Sequence, residues 1–181
     1  MNMIVNVNGV QVPSGIHARR TVILASDHHG YALKQALFNH LRSQGICAAD
    51  IGTHSSGRCD YPKLSFDLGR MISQDLSYST VGIGICGSGI GIGIPASKWP
   101  GVYVARCLTG ADGKNTRRHN NTNLLTLGAD VLSLDEAIAI ADAWLWEPFE
   151  LVEPYLSRFL QTVELERKGY GIHAPSLEQQ S

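Results

Sequence analysis

At 181 residues with 44% hydrophobic content, the chain is long enough to bury one substantial core. Fifteen basic residues offset sixteen acidic ones, which excludes a dedicated nucleic-acid or polyanion surface. No apolar run approaches the ~18 residues of a membrane span, and four cysteines without C-x-x-C spacing suit a reducing compartment, so we expect a cytoplasmic protein that contacts no membrane.

Ile4 to Val12 sets Asn8-Gly9 between two alternating apolar runs, the pattern of a β-hairpin, so residues 1–20 read as an extension ahead of the main domain. Thr21 to Ser26 reads as a buried strand. Tyr31 to Ser43 follows with Leu33, Leu37 and Leu41 at helical spacing and stops at Gly45. Ile46 to Ile51 predicts a second strand, Lys63 to Gln74 a helix, Thr80 to Cys86 a third strand and Gly101 to Cys107 a fourth. Gly110 to Asn120 is polar and reads as a loop entering a short helix. Leu124 to Leu127 is a short fifth strand, and Ser133 caps a helix over Ala137 to Trp146 with acids in its first turn. Strands separated by helices predict an α/β domain over residues 21–148, a three-layer Rossmann-like fold around a five-stranded parallel sheet. Residues 149–181 hold a C-terminal helix with Leu156, Phe159, Leu160 and Val163 on one face, then a tail from Gly169 expected to be mobile.

Chemistry concentrates in Cys86-Gly87-Ser88-Gly89-Ile90-Gly91, which places a thiol at the carboxyl edge of the sheet. Open α/β sheets hold their ligands at that edge. Glycines there let backbone N–H groups approach an anion, and a thiol beside them can serve as base or nucleophile. The bland alternative is a buried cysteine acting as a small hydrophobe. A G-x-G-x-x-G at Gly82, Gly84 and Gly87 lies inside the strand, which weakens the reading as a dinucleotide-binding module. Asp27-His28-His29 closes the first strand at the same edge and suits proton transfer, although Asp27 could equally be a helix cap. Asp60-Tyr61-Pro62 offers a carboxylate and a phenol after the second strand. Arg117 to Asn123 is dense in donors and is expected in the fourth βα loop, near Cys86. Histidine spacing gives no metal motif, and Gly87-Ser88-Gly89 is no nucleophile elbow, so no metal or cofactor is expected.

Taken in order, Asp27-His28, Gly52-Thr53, Asp60-Tyr61-Pro62, the Cys86 to Gly91 run and His119-Asn120-x-Thr122-Asn123 resemble the ribose-5-phosphate isomerase B family. That family also holds the galactose-6-phosphate isomerase subunits. Lys98, Gly101, Gly128 and Asp142-Ala143-Trp144-Leu145 fall in step, so the match runs from about Thr21 to Leu145. The resemblance implies a metal-free aldose–ketose isomerase acting on a sugar or sugar phosphate through a cis-enediolate. It implies Cys86 as the base, with Ser88 and the amides from Gly87 through Gly89 to Gly91 as the enediolate cradle. It implies His119 as the ring-opening group, Asp27 as the carrier of hydroxyl protons, and Tyr61, Asn120 and His28 as sugar-binding residues. Sites shared between the subunits of a homodimer, or of paired dimers, are implied as well.

The departures from the family pattern concern phosphate. Asp130 stands where phosphate-using members carry an arginine; Glu153 and Ser157 stand where two more are expected, with Arg158 one position away. A carboxylate ~4 Å from a phosphate costs about 4 kcal/mol per charge pair at an effective dielectric near 20. Either Arg106, Lys114, Arg117 or Arg158 rebuilds the grip, or the substrate has no phosphate there. We therefore expect poor activity on ribose 5-phosphate, with Asp130 and Arg158 among the substrate-binding residues. The hairpin and the apolar stripe of the C-terminal helix read as surfaces that want partners. The alternative to an active homo-oligomer is a non-catalytic subunit of a hetero-oligomer.

Overall fold

The computed structural model describes residues 4–13 and 21–171. The chain forms β1 (Ile4–Val7), β2 (Val10–Pro13), β3 (Thr21–Ser26), α1 (Tyr31–Ser43), β4 (Cys47–Asp50), α2 (Tyr61–Ser73) and β5 (Thr80–Cys86). It continues with α3 (Gly93–Ala96), β6 (Val104–Arg106), α4 (Gly110–Asn120), β7 (Leu124–Gly128), α5 (Leu134–Leu145) and α6 (Tyr155–Gly169). Five strands make one parallel sheet in the order β4-β3-β5-β7-β6, and β1 pairs antiparallel with β2. This is the expected Rossmann-like architecture. Among the described residues no helix is long and apolar enough to cross a membrane.

Alternation along the strands divides the core. Leu24, Ile83, Ile85 and Leu125 face α1 and α5, where they meet Leu37, Leu41 and Trp144. Ile23 and Leu124 face α2, where they meet Leu68 and Ile72. Each such side chain contributes roughly 2 kcal/mol by leaving water. The glycines inside β5 serve this packing: a Cβ on Gly82 would sit 2.7 Å from Ile72 Cδ1 and 2.8 Å from Leu124 Cδ1. The G-x-G of the strand therefore admits a helix, not a pyrophosphate.

Three expectations need correction. The polar stretch Gly110–Asn120 is a full helix of 11 residues, opened by a capping box in which Thr109 and Asp112 each accept the other's backbone N–H. The fourth strand shrinks to three residues, because Gly101 turns with φ +76° and β6 lies at the sheet edge. The hairpin and C-terminal helix cover each other: Val12 packs with Phe149, Phe159 and Val163, so neither requires a partner subunit to bury it. The hairpin turn itself is as expected, with Asn8 and Gly9 at φ 52° and 80°. Of the tail expected to be mobile, Gly169 ends α6, and residues 172–181 lie outside the described residues.

Candidate active site

The carboxyl end of β5 is fixed by backbone contacts. The Cys86 side chain is buried, and its Sγ accepts the Gly89 N–H at 3.2 Å. Gly89 has φ +73°, and a Cβ there would lie 2.7 Å from Leu127 C. Only glycine allows that turn. Asp130 N–H donates to Gly87 O (2.9 Å) and Ala129 N–H to Cys86 O (2.9 Å), which ties the turn to the segment leaving β7. An amide donor aimed at sulfur suits it to carry negative charge during proton transfer. Ser88 is exposed; its Oγ accepts the Ile90 N–H, and its carbonyl accepts Arg106 Nε–H at 2.8 Å.

Neighbouring loops bring four more predicted residues here. Asp27 is buried, its N–H donates to Ile85 O, and its Oδ1 accepts the Gly30 N–H at 3.0 Å. Asp27 is not the cap of α1, whose N-cap is Gly30 without a side-chain bond; it braces the turn ahead of the helix, and its second carboxylate oxygen is left for other chemistry. His28 Nδ1 meets the Cys59 backbone, 2.9 Å from its carbonyl oxygen and 3.4 Å from its nitrogen, which fixes the ring and leaves Nε2 for a ligand. Tyr61 opens α2 and lies so close over Gly91 that a Cβ there would be 2.7 Å from its Cζ. Asp130 reaches back over the turn: its Oδ2 lies 2.5 Å from where a Gly87 Cβ would stand, and its Oδ1 meets His29 Nδ1 at 3.2 Å. The His29–Asp130 pair was not foreseen, because the two residues are 101 positions apart.

His119, Asn120 and Arg158 are elsewhere, against the expectation that Arg117 to Asn123 lies near Cys86. Helix α4 leaves the carboxyl edge after β6 and runs back to the amino edge before β7 begins. Leu124 pairs with Gly82 and Gly128 with Cys86, so the residues before Leu124 lie at least four strand steps, about 13 Å, from the thiol. There His119 stacks on Tyr155 with ring centroids 3.9 Å apart. The rest of the motif shapes the chain: Asn121 is the left-handed C-cap of α4 (φ 52°), and Thr122 Oγ1 accepts Trp144 Nε1–H at 2.9 Å. Asn123 Oδ1 accepts Tyr103 N–H, and its amide donates to Gly101 O. Arg158 is exposed on α6. Arg118, in the run expected near Cys86, pairs with Glu147 at 2.7 Å and also meets Glu150, and Arg117, considered for phosphate, is buried.

A doubly wound parallel sheet with a thiol, a carboxylate and a glycine cradle at its carboxyl edge is the arrangement of a small-molecule enzyme. Residues 22–160 match the model of the Ribose/Galactose Isomerase family. The chain belongs to that family of aldose–ketose isomerases. Ribose-5-phosphate isomerase B of Escherichia coli is 35% identical over 131 residues, 72% of this chain and 87% of that protein. The DNA damage-repair/toleration protein DRT102 of Arabidopsis thaliana is 37% identical over 129 residues, 71% of this chain but 40% of its own length. The chain thus spans less than half of that relative. The crystal structure of ribose-5-phosphate isomerase B from Mycoplasma genitalium with bound ribulose-5-phosphate is similar with a TM-score of 0.77 and 29% identity, covering 82% of this chain and 97% of that one.

Proposed function

We propose that this protein interconverts an aldose and a ketose through a cis-enediolate, with Cys86 as the base. The observation that carries the reading is the buried Cys86 Sγ at the end of β5, facing the Gly89 N–H and sharing its sheet edge with Asp27. Cys86 takes the proton from C2 of the open-chain aldose and returns it to C1. The electron pair passes into the C1–C2 bond while the C1 oxygen becomes negative. Ser88 and the amides around Gly87, Gly89 and Gly91 hold that charge, and Asp27 carries the hydroxyl proton from O2 to O1. Amide donors can do this without a metal, so EDTA should leave the rate unchanged.

Tyr61 and His28 bind hydroxyls at this edge in the proposal. A single chain holds His119 and Asn120 at the opposite edge, so we assign ring opening and further hydroxyl binding to His119 and Asn120 of a second copy. Sites are then shared across a dimer. Arg158, on the same side of the molecule, would enter with them.

Asp130 sets the substrate class. A phosphate placed against its carboxylate is repelled, whereas a hydroxyl donates a charge-assisted hydrogen bond to it. We therefore propose a sugar without phosphate at that end. Ribose, ribose 5-phosphate, and four- and six-carbon aldoses with their phosphates should be assayed side by side in D2O. The expected result is deuterium at C1 or C2 of a neutral sugar. Efficient turnover of ribose 5-phosphate, lost in Arg158→Ala but kept in Asp130→Asn, would overturn the substrate assignment while leaving the reaction intact. Full exchange activity in Cys86→Ala would remove Cys86 from the mechanism.

A further inference from the structure

One side chain at the carboxyl edge has no part in the mechanism above. His29 Nδ1 stands 3.2 Å from Asp130 Oδ1, and the two side chains are 50% and 59% exposed. A pair this open adds little to stability. Its place is more informative, because both groups lie over the turn that follows Cys86. A Cβ on Gly87 would be 2.5 Å from Asp130 Oδ2 and 3.6 Å from His29 Nδ1.

Both backbones are anchored before the side chains meet. Gly30, next to His29, packs so closely on the end of β5 that a Cβ there would lie 2.7 Å from Ile85 O, and its N–H donates to Asp27 Oδ1. Across the turn, Asp130 N–H donates to Gly87 O, and Leu132 N–H closes the chain onto Gly128 O. An anchored backbone does not fix the carboxylate, because an exposed aspartate side chain can turn among its rotamers toward water. Among the described residues no lysine or arginine pairs with Asp130; His29 is the partner that holds it. An ionised carboxylate only accepts, so the contact places a hydrogen on Nδ1. Oδ1 is thereby taken up, and Oδ2 is held over Gly87 beside the proposed enediolate cradle.

We propose that His29 is the positioning residue for substrate selection. Its Nδ1–H fixes the Asp130 carboxylate in the direction that accepts a hydroxyl of a neutral sugar and repels a phosphate. This role presupposes the isomerase site proposed above and adds a residue to it: selection belongs to the pair, not to Asp130 alone. Asp130 by itself can rotate its charge into water and admit a phosphate; clamped by His29 it cannot.

The values of kcat/KM for the preferred neutral sugar and for its phosphate ester would be compared in full-length wild type, His29→Ala, His29→Asn, Asp130→Asn and the double variant His29→Ala/Asp130→Asn. Calorimetry with ribitol and ribitol 5-phosphate, which cannot isomerise, reads the same preference without turnover. His29→Ala should lower the preference for the neutral ligand at least about fivefold, the scale of one orienting hydrogen bond, with KM moving and kcat nearly unchanged. His29→Asn, whose amide N–H stands in the place of Nδ1–H, should keep the wild-type preference. On the Asp130→Asn background, His29→Ala should change nothing further, because the two residues act as a unit. Loss of folded protein would scale both ligands alike and leave the ratio unchanged. An unchanged preference in His29→Ala, singles that add in the double variant, or a wild type that prefers the phosphorylated ligand would overturn the positioning role while the isomerase reading stood. The expected order of variants in polyol binding without turnover of any sugar would support the pair and overturn the isomerase reading instead. Binding of neither polyol, with no turnover, would overturn both.

Discussion

The two edges of the central sheet are built from different materials. At the carboxyl edge, backbone is packed on backbone: the turn from Gly87 to Gly91 is pinned against the end of β7, and the reactive groups are short side chains held by amides. At the amino edge, Phe159 and Val163 of α6 and Pro13 of the hairpin line a cavity, and His119 stacks on Tyr155. In the proposed mechanism the first edge stabilises developing charge and the second supplies side chains to a neighbouring copy. Within one chain the groups assigned to proton transfer and to ring opening are on opposite sides, which is the physical reason for requiring a second copy.

The largest expected effect tests the carboxyl edge. Cys86→Ala should lower isomerisation by at least about 10³-fold, within the range of a lost general base, while leaving Tm nearly unchanged because alanine fits the thiol's space. Deuterium exchange and thermal melting on the same sample measure both. The complementary test joins the edges: Cys86→Ala and His119→Ala are each expected to be nearly inactive. Mixed after reversible dissociation, they should regain about a quarter of wild-type activity, since half of random dimers are mixed and each has one intact site. No recovery would place both residues in one chain's site or assign His119 a structural role.

Next in size is the docking of the added elements. Phe159 is buried against Phe149 and Tyr103, with centroids 5.3 Å away in each case. Phe159→Ala should cost about 3 kcal/mol in chemical denaturation. Activity per folded molecule should also fall, because α6 carries the Tyr155 that supports His119. A smaller effect is expected from Asp130→Arg: reversing the charge beside Gly87 should shift the kcat/KM preference toward phosphorylated sugars by about tenfold or more, equivalent to ~1.4 kcal/mol. An unchanged preference would detach Asp130 from substrate selection.

Much of the carboxyl edge was legible because its signals are local. A strand of apolar residues ending in a thiol and spaced glycines can fold in few ways, Asp27 sits directly after β3, and Tyr61 opens the helix that follows β4. The amino edge was misread through one element. Helix α4 has almost no apolar residues because it docks on α5 through Gly113 and the buried Arg117; a Cβ on Gly113 would lie 2.8 Å from Ile140 O. Hydrophobic periodicity does not register a helix that packs this way. Taken as a loop, the segment would leave His119 near Cys86; as a helix of 11 residues it carries His119 about 16 Å back across the sheet. The same long-range closure hid the His29–Asp130 pair and the mutual burial of hairpin and α6.

The smallest effect is expected at Asp75, on the loop that enters β5 at the amino edge. Its Oδ1 accepts the Ser77 N–H at 2.9 Å, and its Oδ2 accepts the N–H groups of Ser79 (2.9 Å) and Thr80 (2.6 Å). Partial burial alone would raise this carboxyl's pKa, but the hydrogen bonds from Ser77 and Thr80 outweigh it and hold the folded value well below the ordinary 3.8. A depressed carboxylate contributes stability that is complete above the unfolded pKa and is lost as pH falls through the folded one. Asp75→Asn puts an amide donor among N–H donors and should cost about 1–2 kcal/mol at neutral pH. The gap between wild type and variant should narrow as pH drops from 5 toward 2, because the unfolded wild-type chain then takes up a proton at Asp75 that the folded carboxylate still refuses. Melting temperatures of both proteins across that range measure it, and a gap that stays constant would show that the Asp75 network does not depend on its charge.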